Sequence, residues 1–280
     1  MLNKNLALVS ETTNITASDL TTVAAALQKQ ATRDFGPLWD TQANISAFAK
    51  LEDVPTDYWP VIVQDDISTP GAAGVHEDKN GQPFSLVQYS TSWSLTASHE
   101  TLEMLGDPFG NRLVAGNSPK RGQGRVNFLV EVCDPSEDSQ FAYTVNGVTV
   151  SDFLTPHFYD PIASSGVRYS FTGAITKPRQ ILRGGYLSWV VPATNEWFQQ
   201  IWFDTPKPTF RNLGVLSGKT TGSLRSNIDR LTPTPLETKK LATRSTALLA
   251  SRAAFDDVAT ASAYRADSLR KQIKAIKTAA

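Results

Sequence analysis

Ser92 to Pro108 reads SWSLTASHETLEMLGDP. Within it, His99-Glu100-Thr101-Leu102-Glu103 differs at one position from the H-E-x-x-H helix of zinc metallopeptidases. The four-residue spacing puts His99 and Glu103 on one helix face, within reach of a single ion. Leu95, Leu102 and Leu105 fall on a neighbouring stripe, so one side can face a core while the acidic side faces a cleft. No Pro or Gly interrupts Ser92 to Leu105, and Gly106 and Pro108 supply the stop. The charge pattern points the same way. No Lys or Arg occurs between Lys79 and Arg112, yet Glu100, Glu103 and Asp107 all fall there. Carboxylates without basic neighbours need another counter-charge when buried. A divalent cation is the usual one, and an Arg from elsewhere in the chain is the alternative.

In the H-E-x-x-H arrangement the first His and the residue four positions on hold the metal. The Glu after the His takes a proton from the metal-bound water as that water attacks a carbonyl. Glu100 has that position here, and Glu103 stands in place of the second His. A carboxylate binds zinc, but it adds anionic charge and makes Mn, Ca or Mg better competitors than in a His-rich site. The competing reading is a solvated acidic helix in which His99 caps or packs.

Other stretches give the pentapeptide a context. Asp34-Phe35-Gly36-Pro37-Leu38-Trp39 comes early, and Gly74-Val75-His76 is followed by Gly81-Gln82-Pro83. Ser98 to Met104 leads into Asp107-Pro108. Glu131-Val132-Cys133-Asp134-Pro135 and then Ser151-Asp152-Phe153-Leu154-Thr155-Pro156 close the series. In order and rough spacing this series resembles a poorly characterised family of bacterial and phage proteins with an SHExLEMxxDP motif, itself similar to zincin-type metallopeptidases. The resemblance reaches to about residue 200. It implies an α+β fold with a zincin-like mixed sheet against an active-site helix, and it implies a site more firmly than a substrate.

Lys+Arg and Asp+Glu both number 27, so nothing suggests nucleic acid or an anionic membrane as a partner. Apolar runs such as Phe128 to Val132 are too short to span a bilayer, and MLNKNLALVS lacks the apolar stretch of a signal peptide. Cys133 is the only cysteine, so an intrachain disulfide is excluded. The expectation is a cytoplasmic protein, or one exported by a signal-less route.

Along the chain, Leu6 to Ser10 is a short apolar run. Ser18 or Asp19 is placed to cap a helix running to about Arg33. Asn44 to Ala49 and Trp59 to Gln64 read as strands. Gly74 to His76 and Phe84 to Tyr89 flank a turn and suggest a hairpin ahead of the His99 helix. His76 then lies on an edge strand, where it is a candidate to hold substrate or an oxyanion, or is a surface residue beside a turn. Phe109 to Gly124 reads as a loop. Glu131 ends an apolar β-rich run with no basic residue after Arg125, so it is the candidate third metal ligand. Asp134 is its rival, or orients the His99 ring. A strand-end acid pairing with an Arg is the plain alternative. Asn146-Gly147 is the strongest hairpin signal, and Tyr169 to Trp202 suggests a terminal strand pair docking back on the body. His157 is not assigned to the metal.

These readings divide the chain into a zincin-like metallohydrolase domain (1–205), a linker or extended arm (206–235) and a helical segment (236–280) whose narrow apolar seam suits self-association, a partner or packing on the body. The function expected is a metal-dependent hydrolase acting on a peptide or protein. It would use a divalent metal, zinc for preference, on His99, Glu103 and Glu131 or Asp134, with Glu100 as base. The rival is a non-enzymatic structural or delivery component, phage-related or otherwise, with a degenerate or structural metal site. A calcium-dependent lectin-like module needs more clustered carboxylates than the sequence offers.

Overall fold

The apolar run Leu6 to Val9 is fully buried within strand β1 (Asn3–Ser10) of the computed structural model, which describes residues 3–69, 71–216 and 222–233. Helix α1 (Ala17–Lys29) follows. Its N-cap is Thr16, earlier than the sequence suggests, and Asp19 is the partner rather than the cap. The Thr16 hydroxyl accepts from Asp19 N–H, and the Asp19 carboxylate accepts from Thr16 N–H. A π-helical stretch (Gln30–Phe35) and a short helix α2 (Gly36–Trp39) complete this arm. Strands β2 (Gln42–Phe48), β3 (Tyr58–Gln64), β4 (Gly74–Lys79) and β5 (Gln82–Gln88) then build the first sheet. Its order is β2-β1-β3-β5-β4. All strands run parallel except β4, which pairs antiparallel with β5 at the edge. The turn between β4 and β5 uses Asn80 and Gly81 at φ 55° and 81°, the left-handed pair that a two-residue hairpin demands.

Helix α3 (Trp93–Gly106) carries the His-Glu motif. It packs on the first sheet through Ala97, Leu102, Met104 and Leu105, in one core with Leu27 and Phe35 from the α1 arm. Strands β6 (Leu113–Asn117) and β7 (Arg125–Leu129) come next, then the hairpin β8 (Tyr143–Val145) and β9 (Val148–Val150) turned by Asn146-Gly147. Strands β10 (Tyr186–Val191), β11 (Glu196–Ile201) and β12 (Thr209–Val215) finish a second, antiparallel sheet of order β12-β11-β10-β7-β6. The fold is therefore α+β with a mixed sheet and an antiparallel sheet.

Two expectations need correction. The Phe109 to Gly124 loop contains β6, because Leu113 to Asn117 finds a partner in β7. Residues 206–235, expected as a linker or extended arm, carry the edge strand β12 and a short helix α4 (Leu224–Asp229) that is buried against the body. Polar, Pro-rich composition concealed a strand whose pairing is supplied by β11. The helical segment expected over 236–280 lies outside the described residues. No helix among the described residues is long and apolar enough to cross a membrane.

Two sets of contacts fix α3. At its middle, Ser98 Oγ donates to Gln30 Oε1 (2.7 Å) and accepts from Ser151 N–H (2.9 Å), while Gln30 Nε2 donates to Ser151 O (3.0 Å). These buried groups satisfy one another, so the helix has one register against the α1 arm. At its C-terminal end, Lys4 Nζ donates to Leu105 O (3.1 Å) and Arg112 Nη1 to Gly106 O (2.8 Å). Both cations answer the unpaired carbonyls and the negative end of the helix dipole. They also line a cavity of about 620 Å³ with Trp39 and Asp107.

Candidate metal centre

His99 and Glu103, one turn apart on α3, face the same side, as their spacing requires. A third group reaches them from the loop after β7. His99, Glu103 and Asp134 each offer a ligand atom, and these atoms lie within 4.8 Å of one another. Asp134 is brought there by a tight helical turn, Asp134–Ser136, entered through Pro135. Gly185 makes this approach feasible: a Cβ there would stand 2.5 Å from Asp134 O and 2.6 Å from Pro135 O. The Gly184-Gly185 pair is thus a close backbone crossing.

The electrostatics are those of a buried, densely charged pocket. His99 Nε2 is 3.0 Å from Asp134 Oδ1. Burial disfavours the charged ring. The hydrogen bond to Asp134 and the charges of Asp134, Glu100 and Glu103 outweigh that and raise its pKa to about 10. Asp134 is buried as well, yet Arg225 and His99 hold it well below the usual carboxylate range. Burial pushes Glu103 upward against the pull of Arg225. Glu103 Oε1 accepts from Cys133 N–H at 2.6 Å. Of the three, only His99 retains contact with solvent, its side chain being 12% exposed against 0% and 1% for Glu103 and Asp134. Access to the group is therefore from the His99 side.

Glu100 is 3% exposed, and its Oε2 has no hydrogen-bond partner among the described residues. Burial is the main cause that raises its pKa to about 7. It lies against edge strand β4: a Cβ on Gly74 would stand 2.6 Å from Glu100 Oε1.

Two of the residues predicted for the site are elsewhere. Glu131 is not in the group of converging ligand atoms. Its oxygens accept from Ser188 N–H (3.2 Å) and Ser188 Oγ–H (3.4 Å) on β10. Burial first, then the Asp134 charge, push its pKa well above the usual carboxylate range. Its side chain turns toward Ser188 of the second sheet from a position just past the end of β7, while Asp134 follows in the turn. His76 is not a surface residue: it is 1% exposed and its Nε2 donates to Asp107 O at 2.9 Å. A carbonyl can only accept, so Nε2 carries a proton, and the ring spans β4 and the end of α3 with burial lowering its pKa to about 3.

Arg225 is the residue that sequence reasoning missed. It reaches the group from α4, 4% exposed. Its Nη1 donates to Glu103 Oε2 at 2.8 Å, its Nη2 lies 3.2 Å from Asp134 Oδ2, and its Nε lies 3.5 Å from Asp229 Oδ2. The counter-charge wanted by the acidic helix is thus supplied from more than a hundred residues away. A faint signal existed: in Ser223-Leu224-Arg225-Ser226-Asn227-Ile228-Asp229, Leu224 and Ile228 share one face and Arg225 and Asp229 another. Removing one member of such a buried pair costs about 3–5 kcal/mol, because the partner is left uncompensated.

The other stretches quoted from the sequence converge behind α3 rather than on the group. Phe35 and Phe153 meet edge to face at 5.2 Å. Trp39 Nε1 donates to Leu154 O at 2.7 Å, and Tyr143 Oη to Asp34 Oδ2 at 2.9 Å. Phe35 and Phe153 belong to the same buried core as Leu102 and Leu105 of α3.

Compared with protein-family models, with curated proteins and with solved structures, the chain matches none.

Proposed function

We propose that this chain is a metal-dependent hydrolase acting on a peptide, with a zincin-like arrangement of sheet, edge strand and helix. The observation that carries the reading is the convergence of His99, Glu103 and Asp134 beside a buried carboxylate, Glu100, with an unpaired oxygen. The donor set suits a divalent ion: one imidazole nitrogen and two carboxylates. Donors on one zinc at about 2.0–2.1 Å lie roughly 3.3 Å apart. The three ligand atoms lie within 4.8 Å of one another, so they would draw in by up to roughly 1.5 Å around one ion. Zinc is the ion of choice for these ligands, and manganese is its nearest rival.

A bound ion would supply Lewis acidity and a water of lowered pKa. The rest is done by the chain. His99, Glu103 and Asp134 hold the charge in place. Glu100, with a pKa of about 7, is suited to take a proton at neutral pH and return it to a leaving amine. The edge strand β4 beside Glu100 offers backbone groups to an extended peptide.

The test is peptide cleavage by the full-length protein supplied with Zn(II). Glu100→Gln should lower kcat by about 10²–10⁴-fold with metal retained, whereas Glu103→Ala should lose the metal. Cleavage by Glu100→Gln at the wild-type rate would refute the reading.

The Arg225 ion pairs favour a second reading, in which the group is a metal-free structural network of a non-enzymatic protein. It predicts no metal uptake by the wild type or by any variant.

A further inference from the structure

We infer that Arg225 is a plug in the metal centre, and that helix α4 regulates the site by inserting or withdrawing it. This rests on the metal reading above. The guanidinium bonds to Glu103 Oε2 and contacts Asp134 Oδ2, the same two carboxylates that complete the metal group with His99. Arg225 and a cation therefore compete for one set of oxygens, and they do so by position and sign of charge together.

The plug sits on a short helix of its own. Helix α4 has six residues and enters the site from outside both sheets. Its first turn is tied to the loop after α3 by two bonds, Leu224 N–H to Asn111 Oδ1 (2.9 Å) and Arg225 N–H to Gly110 O (3.0 Å). Ile228 is its apolar anchor, seated against Leu129, Val190 and Trp197. Asp229, four residues on, lies 3.5 Å from the Arg225 Nε and accepts from Tyr186 Oη at 3.3 Å. A guanidinium drawn out along α4 keeps Asp229 as a partner on its own helix, so withdrawal does not strand it without an anion. The Nε makes no hydrogen bond to the described residues and has Asp229 as its nearby anion.

The test is Zn(II) affinity of the full-length protein by calorimetric titration, with Mn(II) as a second probe. Arg225→Gln should bind Zn(II) at least tenfold more tightly than wild type, and metal should restore the thermal stability that the variant loses in chelator. Asn111→Ala removes a tie of α4 without touching the site, so it remains informative if Arg225→Gln does not fold. It should also tighten Zn(II) binding, by a smaller factor. Equal affinity in wild type, Arg225→Gln and Asn111→Ala, with loss in His99→Ala, would overturn the plug and leave the metal reading standing. No binding by any of them would overturn both.

Discussion

His76 shows what burial does to a single side chain here. Its ring lies between β4 and the end of α3, and burial, then the Arg225 charge, lower its pKa to about 3. The unfolded chain binds a proton near pH 6.5 and the folded one does not, so folding is opposed by acid. Its contribution is fully present above about pH 6.5 and is lost as pH falls toward 3. Ring NMR of the folded protein should show His76 neutral at pH 5 with Nε2 protonated. A ring titrating near 6.5 would contradict the buried placement. The sequence put His76 on the right strand and next to the right helix. It did not give the face, because no alternation of apolar and polar residues marks Gly74 to Lys79. Glu131 and Asp134 pose the same difficulty. Both were visible as acids lacking local partners, but the choice between them depended on a turn at Pro135 and on Ser188, more than fifty residues away.

Elements whose geometry is dictated locally were legible from sequence. The Asn80-Gly81 and Asn146-Gly147 turns carry positive φ at both positions and fix two hairpins. The four-residue spacing of His99 and Glu103 fixed their common face. Strand β6 and helix α4 were not legible, since each is short and takes its stability from tertiary partners. The packing of β4 on α3 can be tested directly. A methyl group on Gly74 would meet Glu100 Oε1 at 2.6 Å and Thr96 Cγ2 at 2.7 Å. Gly74→Ala should therefore cost about 1–3 kcal/mol, read as a lowered midpoint in denaturant, and should displace Glu100. An unchanged midpoint would mean that β4 does not lie as close to the helix as described.

At the scale of the whole molecule, the body extends past residue 205. Strand β12 covers the edge of β11, α4 fills the acidic pocket, and Gln199 Nε2 bonds to Thr232 Oγ1 at 2.8 Å. Ending the chain after Thr205 should expose a strand edge and two buried carboxylates at once. The expected outcome is a large fall in thermal midpoint with aggregation on heating, measured by calorimetry and light scattering. A truncated chain that melts like the full one would restore the linker reading of 206–235. Balanced net charge told nothing of this, because the decisive cation is a single Arg whose partners are far away in sequence. The most direct measurement is X-ray diffraction at the zinc edge from crystals soaked in Zn(II). The result predicted is one anomalous peak bonded to His99 Nε2, Glu103 and Asp134, with the Arg225 guanidinium withdrawn and Glu131 still on Ser188. A pocket with no peak and with the Arg225 ion pairs intact at saturating zinc would contradict it.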